Sequence, residues 1–284
     1  MTNELSRKEG GYGITDGRIA VIMSVYKSDM VSDFMNAVQS ILNQTLTCDL
    51  YLYRDGIVSP ELQVELDNLK LHKNVYYFSS EINNGLAHAL NFLIDEVLEK
   101  DYNYIARMDS DDISYHNRIE LQYEYFESNP EVDVLGTYCR EFGSTFSLEK
   151  KILPTEHLKL LDFSIARCPF IHPTVMFRTN VFKSGERYPT NTKYTEDMAL
   201  WFKLLASGFK FANLPLVLLD YYISEETIIR RKGFAKAVSE IKLRLKYMFK
   251  LRRVNPTNAF MIFFRLLFHV FPAGFIKTLY RHFR

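Results

Sequence analysis

The first half of the chain exchanges short apolar runs for amphipathic stretches several times over, and few folds accept that pattern. Ile19-Ala20-Val21-Ile22-Met23-Ser24-Val25 is apolar and of strand length. A helix capped by Ser32 or Asp33 follows through Leu42, with Phe34, Ala37, Val38, Ile41 and Leu42 at helical spacing. Leu50-Tyr51-Leu52-Tyr53 reads as a second strand, ending at Arg54-Asp55-Gly56. Ser59 then caps a helix with Pro60 at its first position. Val75-Tyr76-Tyr77-Phe78 reads as a third strand, and Asn83-Asn84-Gly85 leads into a helix over 86–99. A strand through Tyr104-Ile105-Ala106, a helix over 118–128 and a strand over 132–136 continue the series. Such alternation predicts an α/β fold, a mostly parallel central sheet flanked by helices. Ligands in such folds lie beyond the carboxyl ends of the strands. Asp55, Asn84 and Asp109 each follow a predicted strand, so the sequence sets three polar groups along one rim.

The fourth of these strands runs into Arg107-Met108-Asp109-Ser110-Asp111-Asp112. Three carboxylates in four residues repel one another and resist unpaired burial. A hard divalent cation, Mg²⁺ or Mn²⁺, relieves the conflict and keeps open positions for phosphate oxygens. The competing reading is a solvated turn that caps the next helix, since Asp and Ser favour both roles.

The net charge of +1 conceals an asymmetry that bears on partners. Residues 1–226 carry 21 Lys+Arg against 33 Asp+Glu, whereas residues 227–284 carry 14 Lys+Arg and a single acid, Glu240. A basic tail on an acidic body predicts a polyanionic partner, an anionic membrane or a nucleic acid. Cys48, Cys139 and Cys168 have no metal-site spacing and are odd in number, which fits reduced thiols in a reducing compartment, each a small core residue. Residues 1–18 are polar and read as a loose extension without a signal-peptide core.

The second half is less regular. Phe170-Ile171-His172-Pro173-Thr174-Val175-Met176-Phe177-Arg178 reads as a strand bent at its proline. Thr195-Glu196-Asp197-Met198-Ala199-Leu200-Trp201 opens a helix, with Thr195 as its cap and two acids in the first turn. These two segments join Val21-Ile22-Met23-Ser24-Val25-Tyr26, Asp55-Gly56, Asn83-Asn84-Gly85-Leu86-Ala87 and Ala106-Arg107-Met108-Asp109-Ser110-Asp111-Asp112. Together, in this order, the six resemble family 2 glycosyltransferases of the GT-A fold, of the bacterial surface-polysaccharide type. The resemblance covers about residues 19–225.

That resemblance implies a nucleotide-sugar donor, usually a UDP-sugar, and transfer with inversion at the anomeric carbon. Carried over, Asp111 is the leading ligand for Mn²⁺ or Mg²⁺, Asp109 shares the metal or contacts the ribose, and Asp112 lies in the outer sphere. The general base falls in Glu196-Asp197, with Asp197 preferred; helix capping is the structural alternative. Val25 and Tyr26 would form the floor under the nucleotide base, Asp55 would accept from uracil, and Asn84 and Gly85 would approach the nucleotide. Arg107 would neutralise diphosphate, or pair with an aspartate and hold the acidic loop. Two departures from the family pattern stand out. Arg54 replaces an acid beside Asp55, and Ile223, not a basic residue, follows Tyr221-Tyr222, leaving Arg230 and Arg231 as substitutes further on. His172 is placed near the acceptor or is structural. Trp201 and Phe202 are core or acceptor-floor residues, and His88 and His116 are structural.

In the tail, 234–253 reads as a helix with Val238, Ile241, Leu245 and Met248 on one face and Lys242, Lys246, Lys250 and Arg253 elsewhere, broken at Asn255-Pro256. A second segment, 260–271, is apolar around most of its circumference, with Arg265 and His269 on a narrow stripe, and is interrupted by Pro272 and Gly274. It is too short to span a bilayer and fits an interfacial helix on anionic lipid. Packing on the catalytic domain, or on a second copy in a homodimer, is the other reading. Nucleic acid fits less well, because no aromatic–basic stacking platform is present. The sequence thus divides into an extension (1–18), a catalytic domain (19–225) and a basic amphipathic helical tail (226–284). The predicted activity is metal-dependent transfer of a hexose or N-acetylhexosamine from a UDP-sugar to a lipid-linked oligosaccharide acceptor. Its predicted place is the cytoplasm, peripheral on the inner face of the membrane. A nucleotidyltransferase is the second enzyme reading, but it predicts a Gly-rich loop after the first strand, and Val25-Tyr26-Lys27-Ser28-Asp29 has no glycine. A non-catalytic sugar-binding protein is the third.

Overall fold

The structure is a computed structural model, and it describes residues 18–192, 195–224 and 234–270. The predicted series appears as β1 (Ile19–Val25), α1 (Val31–Leu42), β2 (Asp49–Asp55), α2 (Pro60–Leu69), β3 (Val75–Ser80), α3 (Leu86–Leu98), β4 (Tyr104–Met108), β5 (Ile113–Ser114), α4 (Arg118–Ser128) and β6 (Val134–Phe142). Then come α5 (His157–Ala166), β7 (Met176–Arg178), α6 (Asn180–Lys183), α7 (Glu196–Ala206) and β8 (Phe211–Tyr222). Two tail helices, α8 (Phe234–Lys250) and α9 (Pro256–Val270), end the described chain.

The eight strands form one sheet in the order β3-β2-β1-β4-β7-β6-β8-β5. The half nearest the N-terminus is parallel throughout: β1 pairs with β2 and β4, and β2 with β3. β7 breaks the pattern by running antiparallel between β4 and β6. Both faces are covered, as a parallel sheet requires. Along β1, Val21, Met23 and Val25 join Phe34, Val38 and Ile41 of α1 and Leu62 and Leu66 of α2 on one face. Ala20 and Ile22 point the other way, into a core with Leu90, Leu93 and Ile94 of α3 and with Phe177, Trp201 and Phe211. This two-residue alternation is why β1 reads as a continuous apolar run.

Local chemistry sets the helix starts unevenly. Ser59 caps α2 as predicted, its hydroxyl accepting from the Leu62 amide at 3.2 Å, with Pro60 next. α1 corrects the sequence reading: its N-cap is Met30, with no side-chain cap, and Ser32 and Asp33 lie inside the first turn. The predicted strand over 170–178 is also corrected. His172–Thr174 forms a 3-10 turn, and only Met176–Arg178 pairs as a strand. Three buried side chains hold that turn: Arg118 Nη1 donates to the Pro173 carbonyl (2.8 Å), Gln122 Nε2 donates to that of Thr174 (2.9 Å), and the Thr174 hydroxyl donates to that of Ile171 (2.7 Å).

The tail helices pack on the catalytic core. Tyr247, Met248 and Ile262 share a small core with Ile165 of α5 and Met198 and Phe202 of α7, and Phe202 stacks on Tyr247 at 4.9 Å. The inward face of α8 is Ala237, Glu240, Arg244, Tyr247 and Met248; of the stripe read from the sequence, Met248 is buried and Ile241 packs against the same small core, whereas Leu245 is exposed. Glu240 and Arg244 form a buried ion pair at 2.9 Å, and Arg244 Nη1 donates to the carbonyls of Ser164 and Ile165 at the end of α5. Phe249, Phe260 and Phe263 remain exposed. No helix among the described residues is long and apolar enough to cross a membrane. Arg230, Arg231, Pro272 and Gly274 lie outside the described residues, as does all but Arg18 of the N-terminal extension.

Candidate active site

The carboxyl ends of β1, β2, β3 and β4 share one rim because these strands are parallel. Asp55 ends β2 there. One carboxylate oxygen accepts the Asn84 amide (2.8 Å) and the other that of Gly85 (2.9 Å). The Asn83 side chain closes the loop by donating to the Asp55 carbonyl (3.0 Å). Gly85 has φ +88° and ψ 162°, a conformation essentially reserved for glycine. Asp55 therefore braces the turn that presents Asn84. Arg54, which replaces the family's acid, turns aside to Glu81 at 2.6 Å.

At the end of β4, ligand oxygens of Asp109, Asp111 and Asp112 lie within 4.8 Å of one another. Arg107 is buried and ion-paired to Asp109, with its Nε and Nη1 unpartnered. Asp112 is wholly buried; one oxygen accepts the Tyr222 amide at 2.8 Å, which ties the end of β8 to the loop, and the other has no hydrogen-bond partner. Burial, with Asp109 and Asp29 nearby, pushes the Asp111 carboxyl up to about 7. Burial also pushes Asp112 well above the usual carboxylate range. Among the described residues, the buried cations that act on the cluster are Arg107, paired to Asp109, and Arg118, near Asp112. A divalent cation fits these donors: three hard oxygens converge, one buried oxygen is orphaned, and the carboxyls are raised by burial first and then by one another. The turn-cap alternative is not what the loop does, for α4 has Asn117 at its N-cap and no side-chain cap. Asp29, which sequence reading missed, faces Asp111 and accepts the Tyr26 amide at 2.9 Å. Val25 is wholly buried in the core, and Tyr26 is half-buried at the rim.

The other wall comes from the second half of the sequence. α7 begins with Glu196 and Asp197 after Thr195 at the N-cap, whose hydroxyl makes no capping bond. Asp197 Oδ1 accepts the Met198 amide at 2.7 Å, and the Cys168 thiol donates to Oδ2 across 3.9 Å. Burial first, then Asp197, pushes that thiol up to about 12. Cys48 and Cys139 are the buried core residues expected, whereas Cys168 is half-buried beside the acid. His172 meets the Tyr188 hydroxyl through Nε2 at 2.9 Å, and burial, then Arg107, holds its imidazole well below the usual range, so it is neutral. Tyr188 stands in the combined field of Arg107, Asp197, Asp109 and Glu196, and so joins the two walls. Asn91 of α3 fixes it by exchanging two 2.8 Å hydrogen bonds with its backbone. Of the two readings of Trp201, core and acceptor floor, the structure has the core: it is fully buried among Phe170, His172, Phe177 and Phe211. No local motif marks Tyr188 or Cys168, because only the tertiary fold brings them to the acids.

The fold that carries the acidic strand-end loop, the braced glycine turn and the carboxylate at the start of α7 is of the GT-A type. Glycosyl transferase family 2 matches residues 20–190, and the chain belongs to that family and is a glycosyltransferase. It is 31% identical over 270 residues to the UDP-Gal:alpha-D-GlcNAc-diphosphoundecaprenol beta-1,3-galactosyltransferase of Escherichia coli, covering 93% of this chain and 95% of that one. It is 31% identical over 264 residues to the amylovoran biosynthesis glycosyltransferase AmsE of Erwinia amylovora, covering 92% and 97%. The fold resembles S. aureus TarS 1-349 in complex with UDP-GlcNAc, with a TM-score of 0.59 at 15% identity over 86% of this chain and 75% of that one. It also resembles the mannosyltransferase PcManGT of Pyrobaculum calidifontis in complex with GDP-Man and Mn2+, with a TM-score of 0.60 at 12% identity over 93% and 84%.

Proposed function

We propose that the chain is a metal-dependent, inverting transferase. It moves a hexose or N-acetylhexosamine from a UDP-sugar to a lipid-linked sugar diphosphate in bacterial surface-polysaccharide synthesis. The observation that carries this reading is the convergence of Asp109, Asp111 and Asp112 at the end of β4. Asp109 and Asp111 would hold the cation, with Asp112 behind them. When bound, the cation offsets the charge that develops on the departing nucleoside diphosphate. Asn84 and Gly85 border the nucleotide, and Asp55 keeps their turn in place. Asp197 takes the proton of the acceptor hydroxyl as its oxygen bonds to the anomeric carbon, while the bond from that carbon to the diphosphate oxygen breaks and UDP leaves with the electron pair. A single displacement of this kind inverts the anomeric centre. Neutral His172 and Tyr188 keep the wall between donor and base uncharged.

The acceptor class draws on the similarity to the E. coli galactosyltransferase, whose own acceptor is a diphosphoundecaprenol-linked sugar. Exposed Phe249, Phe260 and Phe263, flanked by Lys250 and Arg252, suit an anionic leaflet on the cytoplasmic side, where such an acceptor is anchored. The test is UDP-sugar hydrolysis and transfer to a lipid-linked acceptor, with and without Mn²⁺, for wild type, Asp111→Ala and Asp197→Asn. Loss of turnover in both variants, with UDP binding retained by Asp197→Asn, supports the reading; full activity in either overturns it. Vesicle flotation of Phe260→Ser/Phe263→Ser tests the membrane face, and undiminished binding to anionic liposomes would refute it.

A further inference from the structure

A groove of about 280 Å³ lies between the loop after Tyr188, helix α7 and tail helix α8. Asn191, Thr192, Ala199, Lys203, Lys246 and Tyr247 line it. Its position is informative. Glu196, Ala199 and Lys203 recur at helical spacing on α7, so one face leads from the start of the helix into the groove. Glu196 is the neighbour of Asp197. At the rise of an α-helix, the path from Glu196 to Lys203 is about 10 Å, enough for a sugar with its diphosphate.

The lining chemistry selects an anion. Lys246 has no carboxylate partner among the described residues; its ammonium lies over the Tyr247 ring at 5.5 Å. Lys203 pairs with Glu186 at 2.7 Å, which holds it at the wall. Asn191 adds an amide donor, while the Thr192 hydroxyl donates to the Pro189 carbonyl at 3.4 Å and can accept from a second group. At this volume the groove suits a compact polar group and is too small for an oligosaccharide. Beyond Lys246, α8 carries exposed Phe249, so an apolar surface continues from the cationic one.

We propose that this groove binds the diphosphate of the acceptor, with Lys246 and Lys203 on its oxygens, so that the attached sugar points back along α7 to Asp197 and the lipid leaves over Phe249. This rests on the acceptor reading above and adds the residues that recognise the anion. It also gives the tail a direct part in catalysis, because α8 completes a substrate subsite.

The test compares two acceptors, N-acetylglucosamine on a farnesyl diphosphate and the same sugar as a neutral alkyl glycoside. Wild type is expected to favour the diphosphate. Lys246→Ala and Lys203→Ala are each expected to raise its KM about tenfold, as loss of a charge-assisted hydrogen bond does, while moving the KM of the neutral glycoside far less. Lys73→Ala removes a cation from the opposite rim, ahead of β3, and controls for net charge. Phosphorus NMR titration of the farnesyl diphosphate sugar in detergent micelles reads binding without turnover. If transfer fails but this binding is present and lost in Lys246→Ala, the subsite stands and the activity assignment falls. Equal use of both acceptors by wild type, equal KM increases for both in Lys246→Ala, or unchanged binding in the titration overturns the proposal. So does a variant that loses only affinity for anionic vesicles, since that outcome assigns the groove to lipid headgroups.

Discussion

The thiol of Cys168 sits 3.9 Å from Asp197 Oδ2 and donates to it, while the opposite oxygen accepts the Met198 amide. Two donors thus fix the orientation of the proposed base. Removing the thiol in Cys168→Ala is expected to raise the acid limb of the pH–rate profile, because a carboxylate that loses a donor holds its proton more tightly. The drop in kcat/KM below that limb should be roughly two- to fivefold, the scale of one modest hydrogen bond. Cys168→Ser restores a donor and should return the profile toward wild type. Because the thiol is pushed up to about 12, iodoacetamide should label Cys168 slowly through pH 9. Rapid labelling at pH 7.5 would show that the thiol is not held protonated here.

Asp111 should govern cation binding. At a Mn²⁺ concentration about a hundred times the dissociation constant, a single site stabilises the fold by about 2.7 kcal/mol. Wild type should therefore melt several degrees higher with Mn²⁺, and Asp111→Asn should lose most of that gain. A thermal shift retained in full by the variant would move the site elsewhere.

Gly85 offers a cleaner test of backbone strain. A Cβ added there would meet nothing within 4 Å, so alanine causes no clash. Its cost comes from φ +88° and ψ 162°, on the order of 1–3 kcal/mol. Urea unfolding of Gly85→Ala should show that loss, with a raised KM for the UDP-sugar because the Asn84 turn shifts. Unchanged stability would mean that the turn relaxes freely and that Asp55 does not restrain it.

The amino-acid sequence carries much of this fold in its periodicity. The β1–α1–β2–α2–β3–α3–β4 series shows because β1, β2 and β4 are buried on both faces and each helix on one, which writes periods into the sequence, while the edge strand β3 is largely half-buried. The acidic loop shows because three carboxylates in four residues have few structural excuses. What stayed hidden depends on distant contacts. The two-residue strand β5 exists only because Ile113 and Ser114 meet β8. The His172–Thr174 turn is held by Arg118 and Gln122 from another helix. Val25 and Trp201 bear family-like positions, yet packing encloses both completely. On the inward face of α8 the Glu240–Arg244 ion pair sits among apolar residues, so the stripe of Val238, Ile241, Leu245 and Met248 marks only part of that face.

His172 gives stability a pH dependence with a defined sign. Its folded pKa lies well below the ordinary value of 6.5. Below about pH 6.5 the unfolded chain takes up a proton that the folded chain refuses, so this contribution to stability is lost as pH falls. The stability of wild type relative to His172→Gln should decline by up to about 1.4 kcal/mol per pH unit between pH 6.5 and 5. Chemical denaturation of both proteins across that range measures it, and a constant difference would mean that His172 is protonated in the fold.

The Glu240–Arg244 pair tests whether the tail helix belongs to the enzyme's core. Arg244 serves two partners, the Glu240 carboxylate and the last carbonyls of α5. Arg244→Ala leaves Glu240 buried without its cation and frees two carbonyls, and a broken buried pair of this kind costs about 3–5 kcal/mol. Glu240→Leu/Arg244→Met removes both charges and fills the space, so it should recover most of that loss, although the α5 carbonyls stay unpaired. Because α8 also bears Lys246 and Tyr247, the single variant should weaken diphosphate-acceptor binding together with stability, and the double variant should restore both. If Arg244→Ala unfolds at the same urea concentration as wild type, α8 does not pack on α5 in solution, and neither the groove nor its lysines can serve the acceptor.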